Sequence, residues 1–204
     1  MPRPTRFFPI DRPAQLRALA SPLRQELLDV LEGSGPCGIA DLAESLGRAP
    51  DTLYFHVRRL QQVGLVVEVA RRKVGRHTTT IYDVPGRPLR IDRTKARAAD
   101  LQAVAAGVLR LAVRDHRRGL GATETVPTGP GRNHWAGRTR GWLDARQLAH
   151  ANRLLEQLLA LLRRGRPGPG RQPIALSWVL ARIPPGRRAR PTDQPPGRPR
   201  RRRP

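Results

Sequence analysis

The chain has 204 residues, 38% of them hydrophobic and only 4% aromatic, so one medium domain or two small ones with lean cores are expected. Its formal net charge of +23 suits a polyanionic partner, nucleic acid before anionic membrane. A single cysteine, Cys37, excludes a disulfide framework and a cysteine-rich metal cage.

In chain order, Met1 to Pro13 is rich in proline and arginine and reads as a flexible arm (1–13). The start, MPRPTRFFPI, lacks the apolar stretch of a secretory signal. No run reaches the roughly 18 apolar residues of a membrane span, so a cytoplasmic, nucleoid-associated location without membrane contact is expected.

Residues 14–84 show helical and then strand periodicity. Ser21-Pro22 is a helix start, with serine at the N-cap and proline at the first helical position. Leu23, Leu27, Leu28 and Leu31 recur on one face, and Gly33-Ser34-Gly35-Pro36 ends the run. A short helix follows from Ile39 to Leu46, closed by Gly47. After Gly47-Arg48-Ala49, Pro50 opens a longer helix that ends at Gly64. Leu53, Val57, Leu60 and Val63 form its apolar side. Asp51, Thr52, Tyr54, Phe55, His56, Arg58 and Arg59 lie opposite.

Two helices joined by a tight glycine-containing turn, the second polar and basic outside, carry the helix-turn-helix signature. The major groove admits one helix while the first braces it across the backbone. Leu65 to Ala70 then reads as a strand, RRKVGRH (Arg71 to His77) as a cationic turn, and Thr78 to Val84 as a second strand. Such a hairpin is a wing, and Arg71, Arg72, Lys73 and Arg76 would reach phosphate. The distribution of charge supports this polarity: residues 14–47 carry net −3 and residues 48–76 net +5.

The stretch LASPLRQELLDVLEGSGPCGIADLAESLGRAPDTLYFHVRRLQQVGLVVEV resembles the ArsR-type winged-helix regulators, most closely in DTLYFHVRRLQQVGLV. The resemblance implies a homodimeric repressor on double-stranded DNA. By position it assigns base reading to Pro50, Asp51, Tyr54 and Phe55, and mainly backbone contact to Thr52, His56, Arg58 and Arg59. The metal-sensing branch carries paired thiolates. Here only Cys37 exists, before the second helix, so the resemblance is to a branch that does not sense metal, and neither metal nor cofactor is expected.

Pro85 to Arg93 holds two prolines and reads as a linker (85–93). Beyond it, residues 94–184 are read as a dimerisation region that could also sense an unidentified small-molecule effector. Ala96 to Arg118 and Trp142 to Arg164 are helical in pattern, the second with Leu148, Ala151, Leu155, Leu158 and Leu162 at 3-4-3-4 spacing. Ile174 to Ile183 reads as a mostly buried strand, with 132–140 as its candidate partner. Residues 185–204 form an arginine- and proline-rich tail expected to be disordered. The expected fold is therefore mainly α with a β-hairpin wing: a winged helix-turn-helix plus a C-terminal helical dimerisation region with a short strand.

Blander alternatives stand beside these assignments. Tyr54 and Phe55 could pack against another helix, His56 could cap, and the wing cations could simply be solvated. Cys37 reads as a small buried residue rather than a redox sensor. His116, His134 and His150 lack metal-site spacing. Residues 165–204 carry net +10, so a non-specific nucleic-acid-binding protein is the rival function. No paired carboxylates, nucleophile–histidine arrangement or phosphate-cradling loop suggests an enzyme.

Overall fold

Prolines and glycines mark the helix ends. In the computed structural model, which describes residues 7–75 and 77–183, proline occupies the first position of helices α1 (Pro13–Leu19), α2 (Pro22–Ser34) and α4 (Pro50–Gln62). There its fixed φ suits the first turn and its missing N–H costs nothing. Helix α3 (Ile39–Leu46) stops at Gly47, whose φ of +60° is left-handed. The N–H of Arg48 then donates to the carbonyl of Ala43 at 2.9 Å, closing the turn between α3 and α4.

Strands β2 (Cys37–Gly38), β3 (Val67–Val74) and β4 (His77–Asp83) form an antiparallel sheet in the order β2-β4-β3. Together with α1 to α4 they enclose the core, in which Leu27, Leu31, Leu42, Leu53, Leu60 and Leu65 are each 0% exposed. The fold is mainly helical with a β-hairpin wing, as a winged helix-turn-helix requires.

Three segments differ from the sequence reading. The first is the expected arm, whose residues 1–6 lie outside the described ones. Phe8–Ile10 forms β1, which pairs in parallel with β5 (Leu89–Ile91) from the expected linker. That linker is clamped to the core. Arg87 pairs with Asp83 and donates to the carbonyl of Leu31 at 2.7 Å, and the carboxylate of Glu32 accepts the N–H of Leu89 at 2.7 Å. Proline breaks helices, but it tolerates the ends and edges of such a short strand pair.

The second difference is in the wing. Strand β3 runs through Arg71, Arg72 and Lys73, which were expected in the turn. Val74 pairs with His77, so the two strands run almost to the tip of the hairpin, where Gly75 has a φ of +59°.

The third concerns Ile174 to Ile183. No strand forms there or in 132–140, so the expected short C-terminal strand and its pairing are corrected. Every residue from 174 to 183 is exposed, and a strand needs a partner to satisfy its backbone. The expected tail, residues 185–204, lies outside the described residues.

Helix α5 (Ala98–Leu120) returns across α1 and α2. The buried Gln25 amide donates to the carbonyls of Leu19 at 2.6 Å and Val104 at 3.0 Å, and it fills the space beside Gly107. Arg114 of α5 pairs with Glu26 at 2.6 Å. Helix α6 (Ala145–Arg164) is capped by Asp144, which accepts the N–H of Gln147 at 2.7 Å, yet no residue of α6 is buried.

Candidate nucleic-acid interface

Helix α4 divides its residues by angle. Leu53, Val57 and Leu60 sit at i, i+4 and i+7 and are fully buried. The opposite side is open: Pro50, Asp51, Thr52, Tyr54, Phe55, Arg58 and Arg59 are all exposed. Phe55 stands near the apex at 68% exposed, with Asp51, Tyr54 and Arg58 along one flank. Thr52, His56 and Arg59 run along the other flank at i, i+4 and i+7. Of the expected α4 residues, only His56 is half-buried.

The helix is held at its far end from within the same fold. The Arg12 guanidinium and the Gln15 amide both donate to the carbonyl of Val63, at 2.6 and 3.2 Å. That carbonyl belongs to the C-cap, whose acceptors lack helical partners. Gln15 is itself buried and accepts the N–H groups of Asp11 and Arg12. The exposed face of α4 is therefore presented on a rigid support.

At the start of α2, the Nε of Arg24 donates to the carbonyl of Ala18. Burial lowers the pKa of Arg24, and the charge of Arg59 lowers it further. Burial likewise pushes His56 below the usual histidine range, with the charge of Arg24 as the second cause. His56 Nδ1 is buried and has no hydrogen-bond partner. The ring edge of His56 meets Phe55 at a centroid distance of 5.4 Å.

The wing supplies a second exposed cationic surface. Arg71, Arg72 and Lys73 face Thr80, Thr79 and Thr78 across the ladder. Alternation along a strand puts Arg71 and Lys73 on one side of the ribbon and Arg72 on the other, so the three cannot all face one surface. Arg71 is also engaged by Glu68 at 2.7 Å. Arg76, the fourth expected wing cation, lies outside the described residues.

The remaining candidates sit elsewhere. Burial pushes the Cys37 thiol up to about 11, so it stays a thiol at neutral pH. The rings of His116 and His134 stack with centroids 4.7 Å apart, pinning the loop after α5, whereas His150 is exposed on α6. Among the described residues no cluster of three metal-ligating side chains occurs. Nor is any helix there long and apolar enough to cross a membrane. A hollow of about 560 Å³ in the C-terminal half is lined only by Leu143, Arg146, Gln147, His150, Ala151, Arg153 and Leu154, along one side of α6 and its approach.

Comparison with known proteins agrees with the geometry of the first half. Residues 19–69 match the family described as Helix-turn-helix domain, a span from the end of α1 into β3 that contains all of α4. No curated protein matches the chain. Among solved structures, the YusO protein from Bacillus subtilis is similar at 14% identity, covering 72% of this chain and 79% of that chain with a TM-score of 0.29. Residues 19–69 thus carry a helix-turn-helix domain, the kind of unit that serves DNA-binding regulators.

Proposed function

We propose that the chain is a sequence-specific, homodimeric transcriptional repressor of ArsR-like type that does not sense metal. Helix α4 enters the major groove and the wing lies on the backbone. The observation that carries this reading is the division of α4. One side is locked into the core, and the other presents aromatic, polar and cationic side chains on a helix whose width fits the groove. Pro50, Asp51, Tyr54 and Phe55 read base edges. Thr52, His56, Arg58 and Arg59 hold the sugar-phosphate backbone, joined by the wing, with Arg71 and Lys73 on one side of its ribbon, Arg72 on the other, and Arg76.

The dimer reading is supported by the C-terminal half. Leu148, Leu154, Leu158 and Leu161 are exposed on α6, and Ile174, Leu176, Trp178 and Leu180 alternate along an exposed segment. So many large apolar side chains left exposed in one region favour an association site. A second copy would cover it and supply the missing partner for 174–183. Selection of duplexes from a random pool by the full chain tests the function. An inverted repeat with half-sites about one turn apart is expected. A pool with no enriched sequence would leave the arginine-driven, non-specific reading in its place.

A further inference from the structure

We propose that residues 174–183 pair with the same segment of a second copy across a two-fold axis, as an antiparallel two-stranded ribbon with Ser177 on the axis. The inference rests on the dimer reading above and deepens it, naming the element that joins the copies and its register. Three observations carry it.

First, the segment is extended and lacks only a partner. Residues 171–183 run without a turn or bend, and each of 174–183 is exposed. None of the N–H or carbonyl groups of 174–183 enters a backbone–backbone hydrogen bond among the described residues. Both sides of its backbone are therefore open edges. The partner expected from sequence, 132–140, is tied to its approach by the Asn133 amide, which donates to the Gln172 side chain at 3.0 Å, yet forms no ladder with it. Pro173 and Pro184 bound the segment, and all ten residues between them keep an N–H to donate.

Second, the segment is complementary to itself. In a chain of net charge +23, Ile174 to Ala181 carries no ionisable side chain, so two copies can meet there without bringing like charges together. A nucleic acid would find no cation in the same stretch. Ile174, Leu176, Trp178 and Leu180 lie on one face of an extended strand. With Ser177 on the axis, Ile174 faces Leu180 and Leu176 faces Trp178 across the ribbon, so all four apolar residues of each copy meet apolar residues. Moving the axis to Trp178 would set Ile174 against Arg182. An axis between two residues would mix the two faces.

Third, an apolar cover is at hand. A two-stranded ribbon is marginal by itself and needs its apolar face covered. Leu148, Leu154, Leu158 and Leu161 of α6 are 42% to 67% exposed. Together with the large apolar residues of 174–183 they offer roughly 800 Å² per chain, the area that each partner of a stable dimer buries.

The full-length chain carrying Cys37→Ala is the background, because Cys37 is the one native thiol. Sedimentation equilibrium establishes whether it is a dimer. Opposed residues of an antiparallel pair have Cα atoms about 4.5–5.5 Å apart, within reach of a disulfide. Ser177→Cys should therefore close into a covalent dimer on mild oxidation with copper phenanthroline, and reductant should reopen it. Ala175→Cys alone should not, because its two copies lie about 13 Å apart along the ribbon. Mixed and allowed to exchange, Ala175→Cys and Val179→Cys should crosslink to each other, since the register sets them opposite. A dimer in which Ser177→Cys stays uncrosslinked, or in which Ala175→Cys alone crosslinks as readily, overturns the ribbon and leaves the dimer reading intact. A chain that sediments as a monomer at high concentration removes the dimer reading and the ribbon with it.

Discussion

The two halves of the molecule use leucine in opposite ways. In the first half, Leu27, Leu31, Leu42, Leu53, Leu60 and Leu65 converge on one core and lose all contact with solvent. In the second, α6 carries leucines at equally regular spacing and buries none of them. Periodicity alone states that a helix has an apolar side. It does not state whether the surface that covers that side lies in the same chain. The first half covers its leucines within its own chain, whereas those of α6 find no such cover among the described residues.

The comparison breaks most sharply by truncation. Leu60→Ala should destabilise the protein by about 2–5 kcal/mol in denaturant unfolding, the range for a fully buried leucine. Leu161→Ala, on the most exposed leucine of α6, should change the unfolding free energy of the dilute monomer by no more than about 0.5 kcal/mol. Comparable losses at both positions would mean that α6 already belongs to the core.

Charge on the same helix sharpens the point. Leu154→Glu combined with Leu158→Glu should weaken self-association by about 100-fold or more, since burying an unpaired carboxylate costs several kcal/mol. Sedimentation equilibrium would then show a monomer where the parent is a dimer. A parent chain that is monomeric at high concentration would contradict the dimer proposal.

Glycines separate a close-packed helix joint from an open one. A methyl group at Gly107 would lie 2.6 Å from the Gln25 amide nitrogen, which already serves two carbonyls. Gly107→Ala should therefore cost about 1–3 kcal/mol from overpacking, despite its gain in helix propensity. Gly33 has nothing within 4 Å of such a methyl, and Gly33→Ala should stabilise α2 by about 0.5–1 kcal/mol. Paired thermal unfolding of the two variants checks both signs.

The smallest expected effect is protonic. The folded pKa of His56 is depressed, so the free protein holds that ring neutral more strongly than the unfolded chain does. Its contribution to stability is present above the unfolded value of about 6.5 and is lost as pH falls through the lower folded value. His56→Gln should slightly flatten the loss of stability as pH falls below about 6.5, read by thermal unfolding across that range. An unchanged pH profile would show that His56 is not strained in this way.

Much of the first half was legible because its signals are local. Pro22, Gly47 and Pro50 fix helix ends through backbone stereochemistry, and the 53-57-60 spacing fixes which side of α4 faces in. What escaped reading depends on distant partners. Phe8–Ile10 becomes a strand only because Leu89–Ile91 lies beside it, across some eighty residues. Arg71, Arg72 and Lys73 have no strong strand preference, yet the ladder with Thr78 to Thr80 extends through them. Ile174 to Ile183 has an alternating pattern but no neighbouring strand in its own chain.

In the proposed function, the outward face of α4 divides base reading from backbone grip. That division is tested most directly by measuring Tyr54→Ala and the double variant Arg58→Ala/Arg59→Ala against a selected duplex and its scrambled counterpart. The double variant should lose affinity for both duplexes alike, with a salt slope lower by about 1.8. Tyr54→Ala should keep the slope and lose its preference for the selected sequence. Equal, sequence-blind losses from both variants would contradict it.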